Sequence, residues 1–468
     1  MRYYLFCLFV FLGNQFAMSQ NTVTLSGTIT HPKGKMVYVK YYSDYLSYDE
    51  VIADSAVLDR KGNFTMTFQW DQPYPATFYH GDEITEMYLT PGDQLRLTLD
   101  TKHFDETVVY AGKGALINNY MAQKVLHNPS MSGMEFKMSE MEFAHRIDSN
   151  HIVELSFLAN YFSNEKMSDD VVNAFLTYEE NNLQYSWAET KMSYPVFYQY
   201  LNKLDQPPAL SSAYYDFLNE LVIYNPDAIR TMAYTDFLSA FVSREIKVSW
   251  EADTTQKYLH VKGKFIDTKL DGAIKEFILA EWAYNALTDN GDLVKGKELT
   301  AKISSEFPDS KFIPMLQSTI ASTASLQAGN AAPDFSLPDM DGKMVSLSDF
   351  IGKVVYLDIW ASWCGPCRTE IPYAKKLEEE FKESGVVFLG VSIDEDEKAW
   401  KKIIKDKGIP GIQLISKGSF DSDIAQLYNV TGIPHYIIIG ADGKIVDSNA
   451  QRPSGGVKMD LEQLLSSK

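Results

Sequence analysis

The residues with the clearest capacity for chemistry are Cys364 and Cys367, set three apart in Trp363-Cys364-Gly365-Pro366-Cys367. The chain has 468 residues and only three cysteines, and the third, Cys7, lies near the start. With no other thiol beyond Cys7, the pair cannot belong to a structural disulfide framework, which leaves redox chemistry or metal ligation. A tetrahedral zinc site needs two further ligands, and His435 is the only candidate helper, so no metal site is expected. The apolar run Val354 to Trp360 reads as a buried strand and the residues after the cysteines as a helix. Cys364 therefore stands where unpaired N–H groups and the positive end of a helix dipole favour thiolate over thiol, drawing its pKa from about 8.5 toward about 7. Cys364 is the expected nucleophile. Cys367, one turn on, can attack the mixed disulfide that Cys364 forms, and the two together make the expected redox-active disulfide. Gly365 and Pro366 suit a helix start, where proline costs no hydrogen bond. Attack on a foreign disulfide needs the Cys364 sulfur to reach solvent, with Trp363 beside it offering apolar surface to the partner.

The element that carries these residues is a mixed α/β unit. After the strand and the cysteine helix, a strand is predicted over Val386 to Ile393, a helix over Asp396 to Lys407 and a strand over Gln413 to Ser416. A short helix Ile424 to Tyr428, a hairpin of His435 to Ile439 with Lys444 to Val446, and a helix Val457 to Leu465 complete it. Alternating strands and helices predict a central sheet covered on both faces. Asp358, among Val354, Val355, Tyr356, Leu357, Ile359 and Trp360, is predicted to be a buried carboxyl with a raised pKa.

Trp-Cys-Gly-Pro-Cys behind a strand carrying Asp358, with Gly432-Ile433-Pro434 downstream, resembles the thioredoxin superfamily. The lead-in Ala331-Ala332-Pro333-Asp334-Phe335 and the run Cys367-Arg368-Thr369-Glu370-Ile371-Pro372 resemble its TlpA/ResA branch of secreted thiol-disulfide oxidoreductases. That resemblance implies that Asp358 takes the proton from Cys367 during resolution and that Glu370 tunes the cysteine pKa values. It implies a cis-proline at Pro434, turning the Ile433 backbone toward substrate, and a reductant, since Gly-Pro is the dipeptide of reductants in the superfamily. It also implies substrates that are disulfide-containing proteins, apocytochrome c among them, and a membrane electron donor of the DsbD/CcdA type. No cofactor is implied. An oxidase or isomerase on the same site, and a partner-binding protein with a redox-sensing module, stay open as alternatives; His435 reads as structural or as a rim contact.

Upstream, residues 20–112 alternate at period two, as in Val23, Leu25 and Ile29, then Phe64, Met66 and Phe68, then Leu95, Leu97 and Leu99. Turn clusters at His31-Pro32-Lys33-Gly34, Asp59 to Asn63 and Pro91-Gly92-Asp93 divide the runs, which predicts a small antiparallel β domain of sandwich type. Its phrases Leu25 to Ile29, Asp54 to Val57, Gly62-Asn63-Phe64 and Leu89 to Asp93 resemble the N-terminal β domain that precedes thioredoxin domains in Bacteroidetes-type secreted proteins. Residues 113–326 change to helical periodicity, predicting six to eight helices broken at Pro207-Pro208, Asn225-Pro226 and Phe307-Pro308. Ala144, Ile147, His151 and Leu155 are expected on one buried face, and Ile274, Phe277, Ile278 and Trp282 on another. The redox domain is expected over residues 327–468.

Residues 1–19 place Arg2 before an apolar run and end in Ala17-Met18-Ser19, the layout of a signal peptide cleaved before Gln20. The run is shorter than the ~20 apolar residues a membrane span needs. Cys7 sits inside it rather than at the cleavage point a lipoprotein would use. Export to the periplasm of a Gram-negative bacterium follows as the expectation. The formal charge of −19 excludes nucleic acid as a natural partner.

Overall fold

The computed structural model describes residues 21–129, 131–163 and 170–466. The expected leader, residues 1–19 with Cys7, lies outside the described residues. Two compact units divide the chain, Met1–Phe265 and Ile266–Lys468.

The first unit opens with strands β1 (Thr22–Thr30), β2 (Met36–Tyr42), β3 (Glu50–Val57), β4 (Asn63–Gln69), β5 (Tyr74–His80), β6 (Glu83–Leu89) and β7 (Gln94–Asp100). The short helix α1 (Phe104–Thr107) and strand β8 (Val109–Lys113) follow. They form two four-stranded sheets, ordered β4-β1-β7-β8 and β3-β2-β5-β6. Val23, Leu25, Ile29, Phe64, Met66, Phe68, Leu95, Leu97 and Leu99 share one buried core. Period two is what places these residues on one side of their strands. Gly62, at φ 80° in the turn before β4, is required there, because a Cβ would stand 2.2 Å from the Ile29 carbonyl oxygen. Within these two sheets the pairing is antiparallel with one exception among the described residues: β1 runs parallel to β7. Alternation carries no strand direction, so this pairing is invisible in the pattern.

Between Ala115 and Ser325 the described residues hold eight α-helices: α2 (Ala115–His127), α3 (Glu140–Phe162), α4 (Asp170–Asn202), α5 (Met232–Glu251), α6 (Tyr258–Lys269), α7 (Gly272–Thr288), α8 (Leu293–Glu306) and α9 (Phe312–Ser325). Pro207-Pro208 falls in the irregular stretch after α4, Pro226 opens a 3-10 turn, and Phe307-Pro308 ends α8. Ile274, Phe277, Ile278 and Trp282 are buried as expected. The α3 face differs, because Leu155 is exposed and the buried stripe is Phe143, Ile147, Leu158 and Phe162. The aromatic residues Phe143 and Phe162 anchor the two ends of this helix and set its rotation. Among the described residues no helix is long and apolar enough to cross a membrane.

The second unit contains α7, α8 and α9 together with the redox domain. That domain comprises β9 (Ser336–Pro338), β10 (Met344–Ser346), β11 (Val354–Trp360), α10 (Gly365–Phe381), β12 (Val386–Ser392), α11 (Glu397–Lys407), β13 (Ile412–Ile415), α12 (Asp423–Leu427), β14 (His435–Ile439), β15 (Ile445–Asp447) and α13 (Val457–Ser466). Five strands form one sheet in the order β13-β12-β11-β14-β15. β11 pairs in parallel with β12, Asp358 opposite Gly390, and antiparallel with β14, Asp358 opposite Tyr436.

Alternate residues of β11 enter two cores. Val355, Leu357 and Ile359 pack with Trp400 and Ile404 of α11. Val354 and Tyr356 pack with Leu377 and Phe381 of α10 and with Val457 and Leu461 of α13. The two-sided cover is why the strand reads as an unbroken apolar run. Asp358 follows Tyr356 on the α10 side. The lead-in is fastened by the Tyr428 hydroxyl, which donates to the Pro333 carbonyl at 2.7 Å, and by the Ala332 N–H, which donates to Gly443 at 2.9 Å.

Candidate active site

β11 ends at Trp360 and α10 begins at Gly365, so the loop between them carries Trp363 and Cys364 to the edge of the sheet. Cys364 is the N-cap of α10, with Gly365 and Pro366 in the first turn. Cys364 and Cys367 form a disulfide, their Cα atoms 5.3 Å apart. The Cys367 N–H donates to Cys364 Sγ at 3.1 Å. An N–H that would otherwise lie unpaired at the helix start thus points at the sulfur, and it stabilises that sulfur when it carries negative charge. The sequence predicts an accessible sulfur, whereas Cys364 is only 4% exposed. Sγ is bonded to Cys367, and the Ile433 carbonyl oxygen stands 3.7 Å away. What reaches solvent is the rim: Trp363 is 52% exposed and Pro366 is exposed too.

The Ile433–Pro434 peptide bond is cis. It precedes β14 and puts the Ile433 carbonyl against the disulfide. His435, next in the chain, is half-buried and donates from Nε2 to the Ser448 carbonyl at 2.9 Å, and burial keeps its pKa below the usual range. It braces the strand end.

Asp358 lies on the α10 face of β11. Its Oδ1 is sealed from solvent and has no hydrogen-bond partner among the described residues. Desolvation first, and the nearby Glu370 carboxylate second, push its pKa up to about 8. The side chain is therefore poised to gain or lose a proton near neutrality, which a solvated aspartate is not. Tyr356 and Tyr436 stack beside it with ring centroids 5.3 Å apart, and burial raises both phenol pKa values.

Glu370, three residues past Cys367, is buried on α10. Its carboxylate accepts from the Ser454 N–H at 3.0 Å and the Ser454 hydroxyl at 2.8 Å. The segment before α13 acts as a strap here, for the Tyr356 hydroxyl also donates to the Gln451 carbonyl at 2.8 Å. Glu370 is thus a buried, hydrogen-bonded carboxylate and not a solvated surface acid.

Three contributors were not found by sequence reasoning. Ser454 lies 84 residues from the glutamate it holds. Asp394, fully buried at the end of β12, accepts from the Ser362 N–H at 2.8 Å, the Ser362 hydroxyl at 2.6 Å and the Ser392 hydroxyl at 2.6 Å. It ties down the loop that presents Trp363 and Cys364, yet in sequence it is one acid of the run Asp394-Glu395-Asp396-Glu397, with nothing to mark it as buried. Phe420 stands edge-on to Trp363, centroids 6.2 Å apart, and extends the apolar rim. Its signal would have been an aromatic residue in an otherwise polar loop.

A mixed sheet of this order, with a cysteine pair at a helix start facing a cis-proline, defines a dithiol–disulfide centre of the thioredoxin class. A family model described as Redoxin matches residues 327–465. The chain is similar to the thiol-disulfide oxidoreductase ResA of Bacillus cereus, 35% identical over 133 residues, which is 28% of this chain and 75% of that protein. ResA of Bacillus subtilis is 33% identical over 126 residues, 27% of this chain and 69% of that one. Among solved structures, the thioredoxin domain of a thiol-disulfide oxidoreductase from Bacteroides vulgatus is 35% identical, covers 30% of this chain and 99% of its own, and gives a TM-score of 0.28. The chain belongs to the ResA-like thiol-disulfide oxidoreductases of the thioredoxin superfamily. It is an oxidoreductase of thiol–disulfide pairs.

Proposed function

We propose that this protein is exported and reduces disulfides in other proteins by cycling Cys364 and Cys367 between dithiol and disulfide. The supporting observation is the Cys364–Cys367 disulfide at the start of α10, with the Cys367 N–H aimed at Cys364 Sγ. In the reduced protein the Cys364 thiolate attacks one sulfur of the substrate disulfide, forming a mixed disulfide and expelling the other sulfur as thiolate. Cys367 then loses its proton to Asp358 and attacks Cys364 Sγ. The mixed bond breaks, the second substrate sulfur leaves, and the internal disulfide closes. Two electrons pass to the substrate; the proton released when the Cys364 thiol ionises and the one Asp358 hands on to solvent match the two the substrate thiolates take up. Glu370 sets the field under the cysteines. Trp363, Gly365 and Pro366 with the Ile433–Pro434 turn receive the substrate chain, which lies alongside Ile433 as an added strand.

In an oxidising compartment the dithiol must be renewed from outside the local thiol pool, so a membrane donor of the DsbD/CcdA type is the proposed source of electrons. Periplasmic disulfide proteins, apocytochrome c among them, are the proposed substrates. The β and helical segments, residues 20–112 and 113–326, are proposed to place or dimerise the redox domain, residues 327–468; deleting residues 21–326 should leave the rate on insulin intact. In the full chain, insulin disulfides are expected to be reduced with dithiothreitol as electron source, and Cys364→Ser is expected to abolish the reaction. Undiminished turnover in that variant removes the mechanism.

A further inference from the structure

Four of the chain's 17 methionines fall within eleven residues: Met131, Met134, Met138 and Met141, in the spacing Met-x2-Met-x3-Met-x2-Met. Methionine is among the residues most often buried. Here all four reach solvent, at 38%, 56%, 37% and 79% exposure. The backbone that carries them is fastened by other residues. Glu135 accepts from the Ser132 N–H and hydroxyl, each at 3.0 Å, which closes the 3-10 turn Met134–Lys137. Ser139 and Glu142 form a capping box at the start of α3, and the Tyr194 hydroxyl donates to the Met138 carbonyl at 2.8 Å. The remaining apolar residue of the stretch, Phe136, turns inward onto Phe143 and Phe197, centroids 5.1 and 4.8 Å away. The segment is thus an ordered scaffold with its thioethers outside.

An apolar docking face could be built from leucine, isoleucine or phenylalanine as well as methionine. A run in which every outward apolar residue is a thioether has a narrower chemical meaning, because thioether sulfur is a soft ligand that selects monovalent copper over zinc, magnesium or calcium. Met134 opens the 3-10 turn, Met138 follows it and Met141 lies in the first turn of α3, three or four positions apart, so thioethers on flexible side chains can reach toward one ion. Among the described residues no group of histidine, cysteine, aspartate and glutamate could hold a metal, so a harder site does not compete.

We infer that the Met131–Met141 segment is a Cu(I) site of three or four thioether ligands, separate from the redox cysteines. The test uses the full chain with its three cysteines changed to serine, so that no thiolate binds copper. Under anaerobic conditions with ascorbate, Cu(I) is partitioned between the protein and a chromophoric Cu(I) chelator. One equivalent bound per chain is expected. Replacing all four methionines by leucine, a volume-conserving change at exposed positions, is expected to weaken binding at least tenfold; a smaller loss overturns the assignment. Methyl-labelled methionine spectra with Ag(I) give a second readout. Shifts confined to these four methyl signals support the site, and shifts spread over other methionines, or none, overturn it.

Discussion

In the proposed mechanism Asp358 takes the proton lost at resolution, and its environment gives it a measurable signature. A folded-state pKa raised to about 8 against an unfolded value of about 3.9 means the native protein keeps a proton that the unfolded chain has lost. Its contribution to stability is therefore full below about pH 4 and is lost as pH rises toward about 8. Asp358→Asn should raise the melting temperature, with a gap over the parent that widens from pH 4 to pH 8; thermal melts across that range check it, and a constant gap contradicts it. The same variant should slow disulfide exchange by about tenfold or more, as loss of a general acid–base group does. Ser454 makes a smaller prediction. Ser454→Ala removes one of two hydrogen bonds to the buried Glu370 carboxylate and should cost about 1 to 2 kcal/mol in urea unfolding. The buried setting of Asp358 was legible from its apolar neighbours in one strand. That of Glu370 was not, because its cover comes from Ser454, far away in sequence and tied to it only by the fold.

At the scale of elements, the redox loop is held by the end of a neighbouring strand. Asp394 gathers Ser362 and Ser392 into one buried knot just before Trp363 and Cys364. Asp394→Ala should leave buried donors unpaired, lower stability by about 3 kcal/mol and slow protein-disulfide reduction. Chemical denaturation and insulin turnover measure both, and an unchanged unfolding midpoint would show that the knot does not brace the loop. The strands and helices of the redox domain were legible from period: β14 matches its prediction, and α11 starts one residue late only because Asp396 serves as its cap. What period cannot supply is lateral order. The parallel partnership of β1 with β7 and the rotation of α3 away from Leu155 depend on neighbours brought in by the whole chain.

At the scale of the molecule, α7, α8 and α9 belong to the compact unit that holds the cysteines. Leu326 lies in the redox core, the Gln327 side-chain amide donates to the Gly291 carbonyl at 3.3 Å, and the Asn449 amide donates to the Asp289 carbonyl. Residues 266–468 should therefore unfold as one cooperative transition at a higher temperature than residues 327–468 alone, by thermal unfolding of the two fragments; equal melting temperatures would contradict this. The helical pattern is the same on both sides of residue 265, so no composition shift marks this division, whereas the start of the redox domain is marked by the lead-in Ala331 to Phe335. The central claim is that the Cys364–Cys367 couple gives electrons away, and its reduction potential, measured by equilibration with glutathione or dithiothreitol, tests that most directly. A value near that of thioredoxin, about −270 mV, is the predicted result, and one near about −120 mV, the range of a strong oxidant, would contradict it.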